Sequence, residues 1–182
     1  MKILYTDMHV LDSGHQIKAY PATVGAEAKT NTEKDIESRV SDIQTSVKNM
    51  YSTWPDMEGV EPPALGDVIW TQTSGNVWYA TCIIYDENGK LNWEAAILCI
   101  KSLGKKCVEL DQQEVGMTLF GSEEREDLPQ WDDMQDVIEH YLEEYAQVVA
   151  YVPDIVYLSD VVSSLPGTVD KIVRKKDPNI IH

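Results

Sequence analysis

Ile36, Val40, Ile43, Val47, Met50 and Trp54 recur at spacings of four, three, four, three and four. That period lines all of them along one stripe of a helix. Thr30-Asn31-Thr32-Glu33 opens the stretch as a capping box, with the threonine bonding the first turn and the glutamate reaching back. Pro55 stops it. A second helix is predicted over Asn92–Leu103, with Ala96, Cys99, Ile100 and Leu103 inward and Gly104 as its C-terminal stop. A third is predicted from about Trp131 to Ala146, with Met134, Val137, Ile138, Tyr141, Leu142 and Tyr145 on one face.

Between these helices the pattern is that of strands. Lys2–Val10, Gln16–Val24, Gly66–Thr73, Asn76–Tyr85, Lys106–Leu110 and Val115–Phe120 read as extended segments, and Ser74-Gly75 as the turn of a hairpin. Val148–Val152 is apolar throughout, as in a strand covered on both faces. Ile155–Leu158 is a further strand candidate, and Lys171–Lys176 a basic tail segment. Strands alternating with helices predict a mixed sheet flanked by helices, a three-layer α/β/α sandwich. No repeat or linker breaks the 182 residues, so a single domain over 1–182 is expected.

With 43% hydrophobic and 25% charged residues, the composition is that of a globular chain. No apolar run approaches the roughly 20 residues of a membrane helix. The first ten residues lack the apolar core of a signal peptide. Cys82, Cys99 and Cys107 have no paired spacing, which fits reduced, buried thiols in a cytoplasmic protein. His9, His15, His140 and His182 are scattered and expected at the surface or at strand ends. Without a C-x-x-C pair, a Ser–His–Asp order or a Walker-type loop, neither a metal nor a cofactor is expected.

Charge changes the picture. The net charge is −16, and residues 107–170 hold 16 acids against one base, Arg125. Such a field repels nucleic acid and anionic membranes and attracts basic protein surfaces. It serves solubility, or it forms a face for a basic partner centred on Glu123, Glu124, Glu126 and Asp127.

Those four acids fall at an informative place. Val115–Trp131 reads as a strand ending in Phe120-Gly121-Ser122, followed by a helix from Trp131. A glycine turn between strand and helix is where α/β proteins hold phosphate, because free N–H groups and the positive helix end converge there. The position predicts an anion site, and the carboxylates oppose one. Thr30, Asn31, Thr32 and Asp35 cluster at another helix start, where capping accounts for both threonines.

The order of features from about Arg39 onward resembles macro domains, the family that binds ADP-ribose, and its small phage-type members most. Tyr51-Ser52-Thr53-Trp54-Pro55 is followed by Leu65-Gly66-Asp67-Val68, then by Val77-Trp78-Tyr79-Ala80 and Asn92-Trp93-Glu94-Ala95-Ala96. Met117-Thr118-Leu119-Phe120-Gly121-Ser122 stands where the family has Met-Pro-x-Phe-Gly-Ser-Gly, and Val148-Val149-Ala150-Tyr151-Val152 matches its closing strand. The resemblance implies a cleft at the strand ends for ADP-ribose or a related nucleotide. Asp7 would contact the base, Gly25 would belong to the first ligand loop, with Asn31 a few residues on and able to move in, and Phe120, Gly121 and Ser122 would belong to the second.

The departures from the family pattern concern the grip on phosphate. A Gly-x-x-Gly-Gly type loop should follow Ser122, and Glu123-Glu124-Arg125-Glu126-Asp127 stands there instead. Each carboxylate close to a diphosphate costs roughly 1 kcal/mol even in water. Of the first loop, Ala19–Ala26 keeps only Gly25 and has no asparagine. The implied function is therefore binding. Any surviving phosphatase or hydrolase chemistry would use water activated near Asp35. The alternative is a non-enzymatic acidic interaction or inhibitor protein on a degenerate macro fold, with a basic protein as its partner.

Overall fold

The computed structural model describes residues 3–25, 28–29, 31–40, 59, 61–73, 75–121, 131–142, 144–152 and 172–173. In chain order the elements are β1 (Ile3–Thr6), a 3-10 turn (Val10–Asp12), β2 (Ile17–Thr23), α1 (Asn31–Arg39), β3 (Val68–Gln72) and β4 (Trp78–Tyr85). They are followed by α2 (Trp93–Leu110), β5 (Glu114–Thr118), α3 (Trp131–Tyr141), β6 (Gln147–Tyr151) and β7 (Ile172–Val173). The sheet runs β3-β4-β2-β5-β6-β1-β7. Every neighbouring pair is parallel except the β3–β4 hairpin.

The two faces of the sheet bury different sets of side chains, as period-two strands require. Val148, Ala150 and Val152 join the main core, whereas Val149 and Tyr151 join a second cluster with Met8 and Val10. Ile17 and Ala19 of β2 likewise face the main core, and Tyr20 meets Ile36 of α1 on the opposite face. The main core takes Ala96, Cys99, Ile100, Leu103 and Cys107 from α2 and Met134 and Ile138 from α3. Helices therefore cover both faces, giving the three-layer α/β/α sandwich with a mixed sheet. Each fully buried Ile or Leu in such a core contributes about 1.5–3 kcal/mol.

One helix boundary differs from the pattern reading. Gly104 does not stop α2, and Lys106–Leu110 is helix rather than strand. The helix ends at Asp111, a left-handed cap at φ 52°, whose N–H donates to the carbonyls of Cys107 and Val108. Gly104 is there for close approach: a Cβ would come within 3.0 Å of Tyr145 Cδ2 and 3.3 Å of the Tyr141 carbonyl. The basic tail segment also holds more than was read from it, since Ile172–Val173 pairs with Tyr5–Thr6 as β7. Most of the first predicted helix, from Ile43 to Trp54, and the strand candidate Ile155–Leu158 lie outside the described residues.

Cys82, Cys99 and Cys107 are free and buried. Burial pushes the Cys82 thiol well up and that of Cys107 to about 11. His15 departs from the surface expectation: it is 3% exposed and packs over Gly116. Among the described residues, no helix is long and apolar enough to cross a membrane.

Candidate functional site

The parallel strands end on one edge of the sheet, and the segments that leave them build the site. β2 hands over to Val24-Gly25, β5 to Leu119-Phe120-Gly121, and β1 to Asp7. β2 and β5 are neighbours, while Asp7 lies two strands further along, past β6. The topology thus brings four of the sequence candidates, Asp7, Gly25, Phe120 and Gly121, to the same edge.

The seam between β2 and β5 is short. Their register covers Lys18 with Gly116 and Ala19 with Met117 only. β2 stays paired with β4 as far as Thr23 and Tyr85, and β5 stays paired with β6 as far as Thr118 and Tyr151. The sheet therefore loses its ladder between β2 and β5 in the direction of Gly25 and Gly121. In open α/β sheets a crevice at the carboxyl ends of the strands is where ligands sit.

Both glycines have φ +87°, a conformation that side chains with a Cβ resist. A Cβ at Gly25 would meet nothing within 4 Å, and one at Gly121 would touch only Leu91 Cδ2 at 3.5 Å. Their requirement for glycine is thus conformational. Phe120 is 1% exposed and belongs to the main core, which leaves only its backbone for the crevice side.

Thr118, at the end of β5, is a residue that sequence reasoning missed. It is 7% exposed, and its Oγ1 is buried without a hydrogen-bond partner. Buried hydroxyls are nearly always bonded, so such an atom near a candidate crevice marks a place where a ligand or water would be held. Its sequence signal was weak, because threonine is common in strands.

The sequence pattern gives Glu33 only a helix-capping role. It is 5% exposed, and its carboxylate reaches out of α1 to the end of β2. The Thr23 backbone N–H donates to Oε1 at 2.5 Å, and the Thr23 hydroxyl donates to Oε2 at 3.0 Å. The Lys29 N–H donates to the same Oε2 at 3.2 Å. One side chain thus holds both ends of the loop that carries Gly25.

Asp35 is already engaged. The His9 Nε2–H donates to Asp35 Oδ2 at 2.5 Å, and His9 Nδ1 accepts the Leu11 N–H at 3.1 Å, which fixes the tautomer. Arg39 Nε lies 3.4 Å from Asp35, and Arg39 also approaches Asp12 at 3.6 Å. Burial first, then the Arg39 charge, lowers the His9 pKa from its ordinary 6.5, against the opposing pull of Asp35 and Asp12. A neutral imidazole with both nitrogens committed has no free lone pair with which to take a proton.

The side chains of the remaining sequence candidates lie beyond what the structure describes. Asn31 starts α1, but its side chain is outside the described residues. Ser122, Glu123, Glu124, Glu126 and Asp127 are also outside them. Two cavities among the described residues lie away from Gly121. One of about 480 Å³ runs beside β3 and Ser102, and one of about 340 Å³ sits under His15 and Glu114 at the opposite edge of the sheet.

No family model and no curated protein matches the sequence. Solved structures do match the fold. The macrodomain of Thermus aquaticus DarG superposes with a TM-score of 0.68 at 12% identity, over 82% of this chain and 97% of that one. The macrodomain of Mycobacterium tuberculosis DarG gives 0.69 at 10% identity, over 84% and 98%. An Oceanobacillus iheyensis macrodomain, a glycine-to-valine mutant with ADPR, gives 0.67 at 12% identity, over 92% and 93%. The strand order, the three layers and these superpositions together identify the architecture of this chain as the macrodomain fold.

Proposed function

We propose that this protein binds ADP-ribose, or a closely related nucleotide, in the crevice between the ends of β2 and β5. The observation that carries the reading is the interrupted β2–β5 ladder, flanked by Gly25 and Gly121 at φ +87°. Backbone N–H groups of the two glycine segments would face the diphosphate, and Asp7 at the end of β1 would accept from the base. Asn31 and Ser122 would complete the two loops. Asp35, whose carboxylate is engaged by His9 and Arg39, would not activate water. The Oceanobacillus structure with ADPR supports the choice of ligand class.

The test is melting and calorimetry with ADP-ribose, ADP and NAD. At a hundredfold excess over Kd a ligand selective for the native state adds about 2.7 kcal/mol. For a domain of this size that raises Tm by several degrees, about 2–4 °C per kcal/mol. Unchanged melting with all three nucleotides at millimolar concentration rejects the reading.

The charge favours a second reading. The net −15 in residues 107–170 is a docking field for a basic protein surface. Reversing Glu123, Glu124, Glu126 and Asp127 to lysine should then abolish capture of a basic partner while Tm stays put. Intact capture by the reversed variant rejects it.

A further inference from the structure

We propose that Glu33 is a positioning residue that holds the β2–α1 loop, and with it Gly25, in its binding shape. What the loop grips rests on the ADP-ribose reading; what holds the loop rests on geometry alone. Glu33 is 5% exposed, and its carboxylate accepts three hydrogen bonds from the two ends of this loop. Thr23 marks the end of β2, and Lys29 lies just before α1. One rigid acceptor therefore closes the stretch of chain between them into a ring.

Val24 is tied to the Tyr85 carbonyl, but the glycine after it has open space where a side chain would stand. A Cβ at Gly25 would have no neighbour within 4 Å, so side-chain packing does not hold the backbone at φ +87°. A glycine pays more conformational entropy to be ordered than any other residue. Ordering the loop before the ligand arrives removes that cost from binding, which is the usual source of affinity in a preorganised site. A carboxylate suits the task because it accepts on both oxygens and donates on neither.

The same chemistry supplies the test. In Glu33→Gln one oxygen becomes an NH₂ group that cannot accept. In either orientation of the amide, one of the two backbone N–H groups at the loop ends loses its acceptor, while the size of the side chain is kept. Exchange of the Thr23–Lys29 amides should rise about tenfold, and the Kd for ADP-ribose should weaken about tenfold, the scale of one charge-assisted bond. Thr23→Val removes only the hydroxyl contact and should shift both readouts about threefold.

A purely structural tie between helix and sheet would lower Tm in Glu33→Gln and leave Kd unchanged, and that result overturns the proposal. If wild-type protein binds no ADP-ribose, the functional reading fails by itself, and unchanged loop exchange in Glu33→Gln then overturns the clamp as well. If Glu33→Gln does not fold, Thr23→Val decides: unaltered exchange and affinity overturn the proposal.

Discussion

Gly116 of β5 and His15 of the crossover into β2 meet face to face: a Cβ at 116 would stand 2.8 Å from His15 Cδ2. The imidazole has little freedom to give way. It is 3% exposed, its Nδ1 lies 3.3 Å from the Glu114 carboxylate, and its ring meets Tyr151 edge-on at 6.2 Å. Glycine in a strand interior often marks such an approach. Gly116→Ala should therefore destabilise the fold by about 1–3 kcal/mol in denaturant melts. Adding His15→Ala should return part of that loss, giving a coupling term in a double-mutant cycle. Strictly additive losses would mean that the contact is not what selects glycine.

The pairing of His9 with Asp35 makes a pH prediction whose sign follows from the lowered pKa. The unfolded imidazole titrates near its ordinary 6.5 and the folded one below it. Between those values the unfolded chain binds more protons, so stability rises with pH across that window. The contribution of neutral His9 is complete above 6.5 and is lost as pH falls through the folded pKa. Tm should thus drop more between pH 7.5 and 5 in the wild type than in His9→Gln. Parallel curves for the two proteins would show that the imidazole is not held neutral.

Much of the architecture was legible in the chain because burial imposes strict periods. The inward stripe Ala96, Cys99, Ile100 and Leu103 sits in the main core as its spacing required, and the apolar run Val148–Val152 is buried on both faces of the sheet, with Val148, Ala150 and Val152 in the main core and Val149 and Tyr151 in the second cluster. Gly104 misled because glycine ends helices so often, and only the packing of Tyr141 and Tyr145 shows that it serves contact instead. At the candidate site, Gly121 was picked out by its place between a strand and a helix, and Gly25 and Asp7 by the family resemblance; topology brings all three to one edge. Thr118 and the clamp role of Glu33 were invisible, because an unpartnered hydroxyl and a bond from α1 back to Thr23 exist only in three dimensions. The long-range tie between His9 and Asp35 was hidden for the same reason.

Thr118 separates stability from binding. Its hydroxyl is buried without a partner, and leaving such a group unsatisfied costs about 1–3 kcal/mol. Thr118→Val removes that cost, keeps the shape and retains a residue that suits strands. The variant should melt higher, by about 1 kcal/mol. If the hydroxyl contacts ligand, its Kd for ADP-ribose should weaken at the same time. A variant that is more stable and binds equally well would move the ligand away from the end of β5.

Salt dependence distinguishes the two functional readings with one titration each. The chain carries −16, and ADP-ribose carries a diphosphate, so their long-range interaction is repulsive. Shortening the Debye length from about 30 Å at 0.01 M to about 8 Å at 0.15 M weakens that repulsion. The affinity for ADP-ribose should therefore strengthen with added sodium chloride over this range, the reverse of ordinary phosphate binding by basic sites. A basic protein partner would behave oppositely, its affinity falling over the same range as attraction is screened. ADP-ribose binding that weakens with salt would require a locally positive grip that outweighs the acids of residues 107–170. In that case the carboxylates after Gly121 would have to turn away from the crevice.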